Sequence, residues 1–152
     1  MSRWSQGEAD IEQLIKSGEL QQISGSAADG RPVLEKATQK LDSARSVLAD
    51  GDPDSAFVLA YDAARTAATA LLLQQGLRPT TTGGHVVVQS ALKAQFGSGF
   101  RDFGSLRRRR NELEYFSRPG DFATKSESAD SIEDAQRIVD AATQLIGQLG
   151  MF

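Results

Sequence analysis

Four consecutive arginines, Arg107 to Arg110, run directly into Asn111, Glu112, Leu113, Glu114 and Tyr115. A guanidinium group presents five N–H donors in a planar fork. It clamps phosphate or carboxylate oxygens through two bonds at once and stays charged throughout the accessible pH range. Asn111 and Tyr115 lie one helical turn apart and add hydrogen-bonding groups beside the run. Residues of these types at this spacing have the chemistry of an anion site, expected to be lined by Arg107, Arg109, Arg110, Asn111 and Tyr115. The competing reading is a helix surface laced by the pairs Arg108–Glu112 and Arg110–Glu114. Both pairs put the base before the acid, the weaker orientation, and each is worth only about 0.2–0.5 kcal/mol. That is too little to account for four arginines in a row.

An anion site needs a rigid support. Phe100, Phe103, Leu106 and Leu113 recur around the run at helical spacing, which predicts an ordered helix over residues 100–116. Arg110 falls on the same apolar stripe. An arginine turned inward must meet a carboxylate or face a polar cleft. Glu114 is one candidate partner. Asp62 is another, standing in an alanine-rich segment where a carboxylate also needs a partner. We expect Asp62 to orient an arginine of the run.

The rest of the chain reads as helices. Glu8 to Lys16 is a short amphipathic segment stopped by Gly18, and residues 21–30 (QQISGSAADG) read as a linker. Val33, Leu34, Ala37, Leu41, Ala44 and Leu48 form a 3.6-residue stripe over residues 32–49, with Pro32 in the first turn and Gly51 past the end. Residues 55–75 are apolar nearly all round, which predicts the central helix of a bundle. Residues 77–84 (LRPTTTGG) read as a loop. His85 to Phe96 begins with three valines, but a lone strand would have no partner, so a helix is expected. Ile132, Ala135, Ile138, Val139, Ala142, Leu145, Ile146 and Leu149 mark a long amphipathic helix over residues 129–149. The predicted fold is all-α: an antiparallel helical bundle of about five main helices over residues 31–152, preceded by a short helix and linker in residues 1–30.

Composition narrows the chemistry. The chain has 152 residues, no cysteine and one histidine, His85. Thiol catalysis, disulfides and cysteine- or histidine-rich metal sites are excluded, and no metal or other cofactor is expected. Neither a phosphate-binding GxxxxGK[ST] loop nor a GxSxG nucleophile elbow is present. With no apolar run read as transmembrane and no signal pattern, a cytoplasmic protein without membrane attachment is expected. The formal net charge of -3 conceals a segregation: residues 1–54 sum to -4, residues 55–118 to +5 and residues 119–152 to -4. A basic middle between acidic ends suits an anionic partner at one place on the surface. His85 follows Gly83-Gly84 at a helix start, where it reads as a capping or surface residue.

Three features in order, YDAARTAATALLLQQGLRP, then TTGGH, then an arginine helix ending RNELEY, resemble the HEPN domain family over roughly residues 30–149. HEPN ribonucleases carry an R-x4-6-H motif with a polar residue after the arginine. Arg110 and Asn111 match, and Tyr115 stands where the histidine should be. The resemblance implies a homodimer with the motif residues of two protomers facing one another, and a cleft for RNA or a nucleotide. It also implies, as one possible partner, a nucleotidyltransferase of the toxin–antitoxin type, which in some pairs adds AMP to a tyrosine in an H-x-Y pattern. Here Tyr115 is the nearby tyrosine, and Ser117 occupies the matching position. Histidine moves protons near neutral pH, whereas an ordinary tyrosine ionises near pH 10. The expectation is a binding module for RNA, a nucleotide or a protein partner, without the standard HEPN ribonuclease chemistry. The alternative is a divergent metal-independent ribonuclease toxin using Arg110 and Tyr115 as catalytic residues.

Overall fold

The structure, a computed structural model, describes residues 2–82 and 84–152, without the side chains of His85 and Ser98. Six α-helices account for most of the chain: α1 (Glu8–Lys16), α2 (Arg31–Ala49), α3 (Pro53–Gln74), α4 (Gly84–Phe96), α5 (Phe103–Glu114) and α6 (Lys125–Leu145). The expected all-α bundle is the observed one. Two strands of three residues each, β1 (Leu20–Gln22) and β2 (Leu77–Pro79), pair antiparallel with Leu20 opposite Pro79. This pairing corrects two expectations: residues 21–30 are not simply a linker, and residues 77–84 are not simply a loop.

α3 is the organising element. Its alanines, Ala56, Ala60, Ala63, Ala64, Ala67, Ala68 and Ala70, are all fully buried. Small side chains let neighbouring helices approach closely and lose no rotamer entropy on burial. α3 packs most extensively on α2 and α6, less on α5 and least on α4. Its start is fixed by the Asp52 side chain, which accepts a hydrogen bond from the Ser55 amide, and by Pro53 in the first turn. By length and composition α3 is apolar enough to cross a membrane, contrary to the sequence-based expectation. Twelve of its 22 residues are buried, most of them against the other helices, so packing within the bundle accounts for its apolarity.

The N-terminal segment belongs to the same core. Ile11 and Leu20 are buried in the main apolar cluster, with Trp4, Leu14 and Ile15 packed against it. The Trp4 indole N–H donates to the Gln95 carbonyl of α4 at 3.0 Å. Gly30, at the start of α2, touches α3 where only a glycine fits: a Cβ there would lie 1.9 Å from the Ala70 carbonyl oxygen. α5 and α6 start close to their expected positions, but α5 ends at Glu114, two residues early. Phe116 turns the chain with a φ of 49°.

Candidate anion site on the arginine helix

Successive residues of an α-helix are turned by about 100°, so four consecutive arginines must point in four directions. The structure gives each a different surrounding. Arg109 is turned toward the start of α6. Its Nη1 and Nη2 donate to the two Asp121 oxygens at 2.7 and 3.0 Å, its Nε and Nη2 to Glu127, and its Nη1 to Glu112 at 2.9 Å. All five donors are occupied. Its pKa is raised further by these bonds, first to Asp121 and then to Glu127. Arg109 is therefore a scaffold residue joining α5, the following loop and α6. This corrects its assignment as a ligand-binding residue, because it has no donor left for a ligand. It also takes Glu112, which the sequence paired with Arg108.

Arg110 is turned the other way. Its side chain is only 17% exposed, and its guanidinium carbon lies 5.8 Å from the centre of the Tyr61 ring on α3. Its nearest carboxylate is Glu114 at 4.0 Å, and Nη1 reaches the Asn111 side-chain oxygen at 3.4 Å. Among the described residues the Arg110 Nε is buried without a hydrogen-bond partner. So is the Nε of Arg65, one turn along α3 from Tyr61. The Tyr61 ring is fully buried and packs on Phe103 at 5.7 Å. Burial pushes its pKa up to about 12, while the positive charges of Arg65, Arg110 and Arg107 oppose that rise. The Arg110 guanidinium thus lies over a buried ring on which the charges of Arg65 and Arg107 also act.

Asp62, expected to orient an arginine of the run, is half-buried on α3. Among the described residues it forms no ion pair with Arg107–Arg110; their carboxylate partners are Asp121, Glu127, Glu112 and Glu114. The cluster thus holds more positive than negative charge, with two buried donors unused. A buried donor without a partner costs about 1–3 kcal/mol. An anion drawn to this cluster would offset its excess of positive charge.

Arg107 is half-buried and donates from Nε to the Gln89 side-chain oxygen of α4 at 2.7 Å. Arg108 is exposed and donates to the Ser105 hydroxyl at 3.4 Å. Tyr115 caps the end of α5 and is 73% exposed, with no hydrogen bond from its hydroxyl among the described residues. Arg110, Asn111 and Glu114 are thus brought together, Arg107 adjoins them, and Tyr115 stands at the helix end. Arg65, on the central helix, was not among the expected site residues. Its only signal was a charge in an otherwise apolar helix. Gly83 and the His85 side chain, where the sequence suggested a helix-capping histidine, lie outside the described residues.

The uncovered side of α3 continues this surface. Val58 and Leu59 are half-exposed there, beside Leu113, Glu114 and the 67% exposed Phe116, around a depression of about 490 Å³. Among the described residues no group of three or more histidine, aspartate or glutamate side chains is placed to hold a metal ion.

The family model described as the HEPN domain matches residues 31–146 of this chain. No curated protein and no solved structure matches it.

Proposed function

We propose, from the premise that this chain belongs to the HEPN domain family, that it is a binding module whose Arg65, Arg110 and Arg107 take a phosphate of RNA or of a nucleotide. The observation that carries this reading is the pair of buried, unpartnered Nε donors on Arg65 and Arg110, in a cluster short of negative charge. Asn111 and Glu114 set the position of Arg110. Standard HEPN cleavage is not part of the reading, because Tyr115 stands in place of the histidine and its hydroxyl has no hydrogen bond among the described residues.

The module works as a homodimer through α3 and α5. The half-exposed Val58 and Leu59 and the exposed Phe116 form an uncovered apolar face beside the arginine cluster. Pairing two such faces would bring two Arg110 clusters toward one shared cleft. A nucleotidyltransferase is the protein partner in this reading, and the exposed Tyr115 and Ser117 are accessible to such an enzyme for modification. A second reading, a metal-independent ribonuclease toxin, is favoured by one observation: the same exposure leaves Tyr115 free to reach RNA held by Arg110.

The test is fluorescence anisotropy of a labelled oligoribonucleotide in EDTA, with total RNA incubated in parallel and run on a gel. The module reading expects salt-sensitive binding that Arg110→Ala weakens at least about tenfold, the loss of one charge-assisted contact, with the RNA intact. Absence of binding at high protein concentration would overturn it. Cleavage in EDTA that disappears in both Arg110→Ala and Tyr115→Phe would establish the ribonuclease instead.

A further inference from the structure

On the α4 side of α5 lies a groove of about 470 Å³ whose charged lining is entirely basic. Lys93, Arg101 and Arg108 line it, all three exposed, and none forms an ion pair among the described residues. Its apolar floor is Leu92, Phe100 and Phe103, which are buried core residues. The nearest acidic neighbour in sequence, Asp102, is turned to Arg137 on α6 at 3.6 Å. Asp10 lies in a separate depression that shares Lys93 on its rim.

Gln89 gives the groove a neutral donor as well. An arginine can only donate, so the Gln89 oxygen must face Arg107, and its NH₂ group is left for the groove. That NH₂ sits over Gly104, where a Cβ would come within 2.7 Å of it. Arg107 therefore stands between two places. Its charge acts on Tyr61 within the Arg110 cluster, and its Nε holds the residue that lines the groove. Arg107 thus links the groove donors Gln89, Arg108, Lys93 and Arg101 to the residues whose charge acts on Tyr61.

We propose that this groove is a second phosphate subsite, which takes a backbone phosphate of a single-stranded oligonucleotide, another phosphate of which, further along the strand, occupies the Arg65–Arg110 cluster. The proposal rests on the anion-site reading above and deepens it: the ligand is a nucleic-acid chain rather than a single nucleotide. The run of four arginines then serves a strand crossing α5, with Arg110 and Arg108 on opposite sides of the helix, Arg107 between the two subsites and Arg109 holding the helix in place.

The experiment measures affinity for a labelled oligoribonucleotide of about eight nucleotides, a length within the range that single-strand sites occupy, across a salt series. It compares wild type, Lys93→Gln/Arg101→Gln, Arg110→Ala and the control Arg31→Gln/Lys36→Gln, whose exposed charges lie on α2. The expected result for the groove double variant is an affinity loss of about tenfold, with the slope of log affinity against log salt reduced by about 0.7, one phosphate contact on a single strand. The α2 control should keep the wild-type slope. If Arg110→Ala weakens binding while the groove variant binds like wild type, the groove is not a subsite and the Arg110 reading stands. An equal loss in the groove variant and the α2 control would also overturn the subsite, by reducing it to overall charge. If Arg110→Ala changes nothing, the anion-site reading falls and the second subsite falls with it.

Discussion

Arg109 and Asp121 meet through two hydrogen bonds, Nη1 to Oδ2 at 2.7 Å and Nη2 to Oδ1 at 3.0 Å, across the loop that follows the arginine helix. Asp121 thereby holds the loop's return toward α6, and Glu127 in the first turn of α6 grips the same guanidinium. One side chain fixes where α5 lies and hence where Arg110 points. Removing it would leave two partly covered carboxylates facing each other. Charge-assisted bonds contribute about 1.5–3 kcal/mol each, less where solvent reaches them. We expect Arg109→Ala to cost about 2–3 kcal/mol and to lower the melting temperature by about 5–10 °C. Arg108→Ala should fall within about 0.5 kcal/mol of wild type. Thermal unfolding of the two variants checks the contrast, and equal melting temperatures would refute the scaffold role.

The same pair sets a pH dependence. The bonds from Arg109 hold the Asp121 carboxyl below the usual carboxylate range, with Arg118 adding to the effect. A depressed folded pKa gives stability that is fully present above the unfolded value, about 3.9. That stability is lost as pH falls through the folded value. The stability gap between wild type and Arg109→Gln should therefore be constant above about pH 5 and shrink as pH falls below about 4. Urea midpoints measured for both proteins from neutral to acid pH would show it. A gap that does not change with pH would mean that Asp121 ionisation contributes nothing.

Arg65 makes a prediction of the opposite sign. Its Nε is buried without a partner among the described residues, and it shares the surroundings of Tyr61 with the cations Arg110 and Arg107. Truncating it removes an unsatisfied donor and a repulsive charge. Arg65→Ala should keep or slightly raise the stability of the free protein, by up to about 0.5 kcal/mol. At ten times its Kd, inorganic phosphate should stabilise wild type by about 1.4 kcal/mol, or about 3–5 °C. In Arg65→Ala that gain should disappear. A variant less stable than wild type yet equally stabilised by phosphate would show that Arg65 serves packing alone.

Much of this arrangement was legible in the residues. The apolar stripes marked α2, α3, α5 and α6 because their spacing follows the helical pitch and is independent of what they pack against. Arg110 was legible as the inward arginine because it shares a stripe with Phe103, Leu106 and Leu113. The assignment of Arg109 was not. Its partners lie 12 and 18 residues away, in a loop and in a new helix, and only the folded path of the chain brings them to it. Asp62 looked like the natural partner because a carboxylate in an alanine-rich helix suggested full burial. It is instead half-buried, on a side of α3 that keeps part of it open to solvent. The strand pair escaped notice because three residues carry no readable alternation, and two of the first strand's three are glutamines.

Gln75 and Gln95 bridge the end of α3 and the end of α4 through reciprocal amide bonds of 2.6 and 3.1 Å, with both side chains buried. Each amide satisfies the other, so removing one strands its partner. Gln95→Leu alone should cost about 1–3 kcal/mol. The double variant Gln75→Leu/Gln95→Leu should recover much of that loss, since two apolar groups need no partner. A double-mutant cycle by denaturant unfolding measures the coupling. Strict additivity would show that the pair is not a unit.

Phe116 separates what stabilises the chain from what the proposed dimer needs. It occupies the left-handed position after α5, where the Ser117 amide closes back on the Glu112 carbonyl at 3.2 Å. Glycine is the usual occupant of that position, because a side chain there is strained by about 1–2 kcal/mol. Phe116 is also 67% exposed, so it gains little burial within its own chain in return. A strained, exposed aromatic beside Val58 and Leu59 is explained if it packs against a second copy. Phe116→Gly should raise the stability of the monomer by about 0.5–1 kcal/mol, after allowing for the extra freedom of glycine in the unfolded chain. The same variant should shift the protein toward monomer. Sedimentation at a series of concentrations, with unfolding measured at a concentration where wild type is dissociated, reads both effects. A variant that dimerises like wild type would remove Phe116 from the interface. A variant that is less stable as a monomer would show that its ring packs within its own chain.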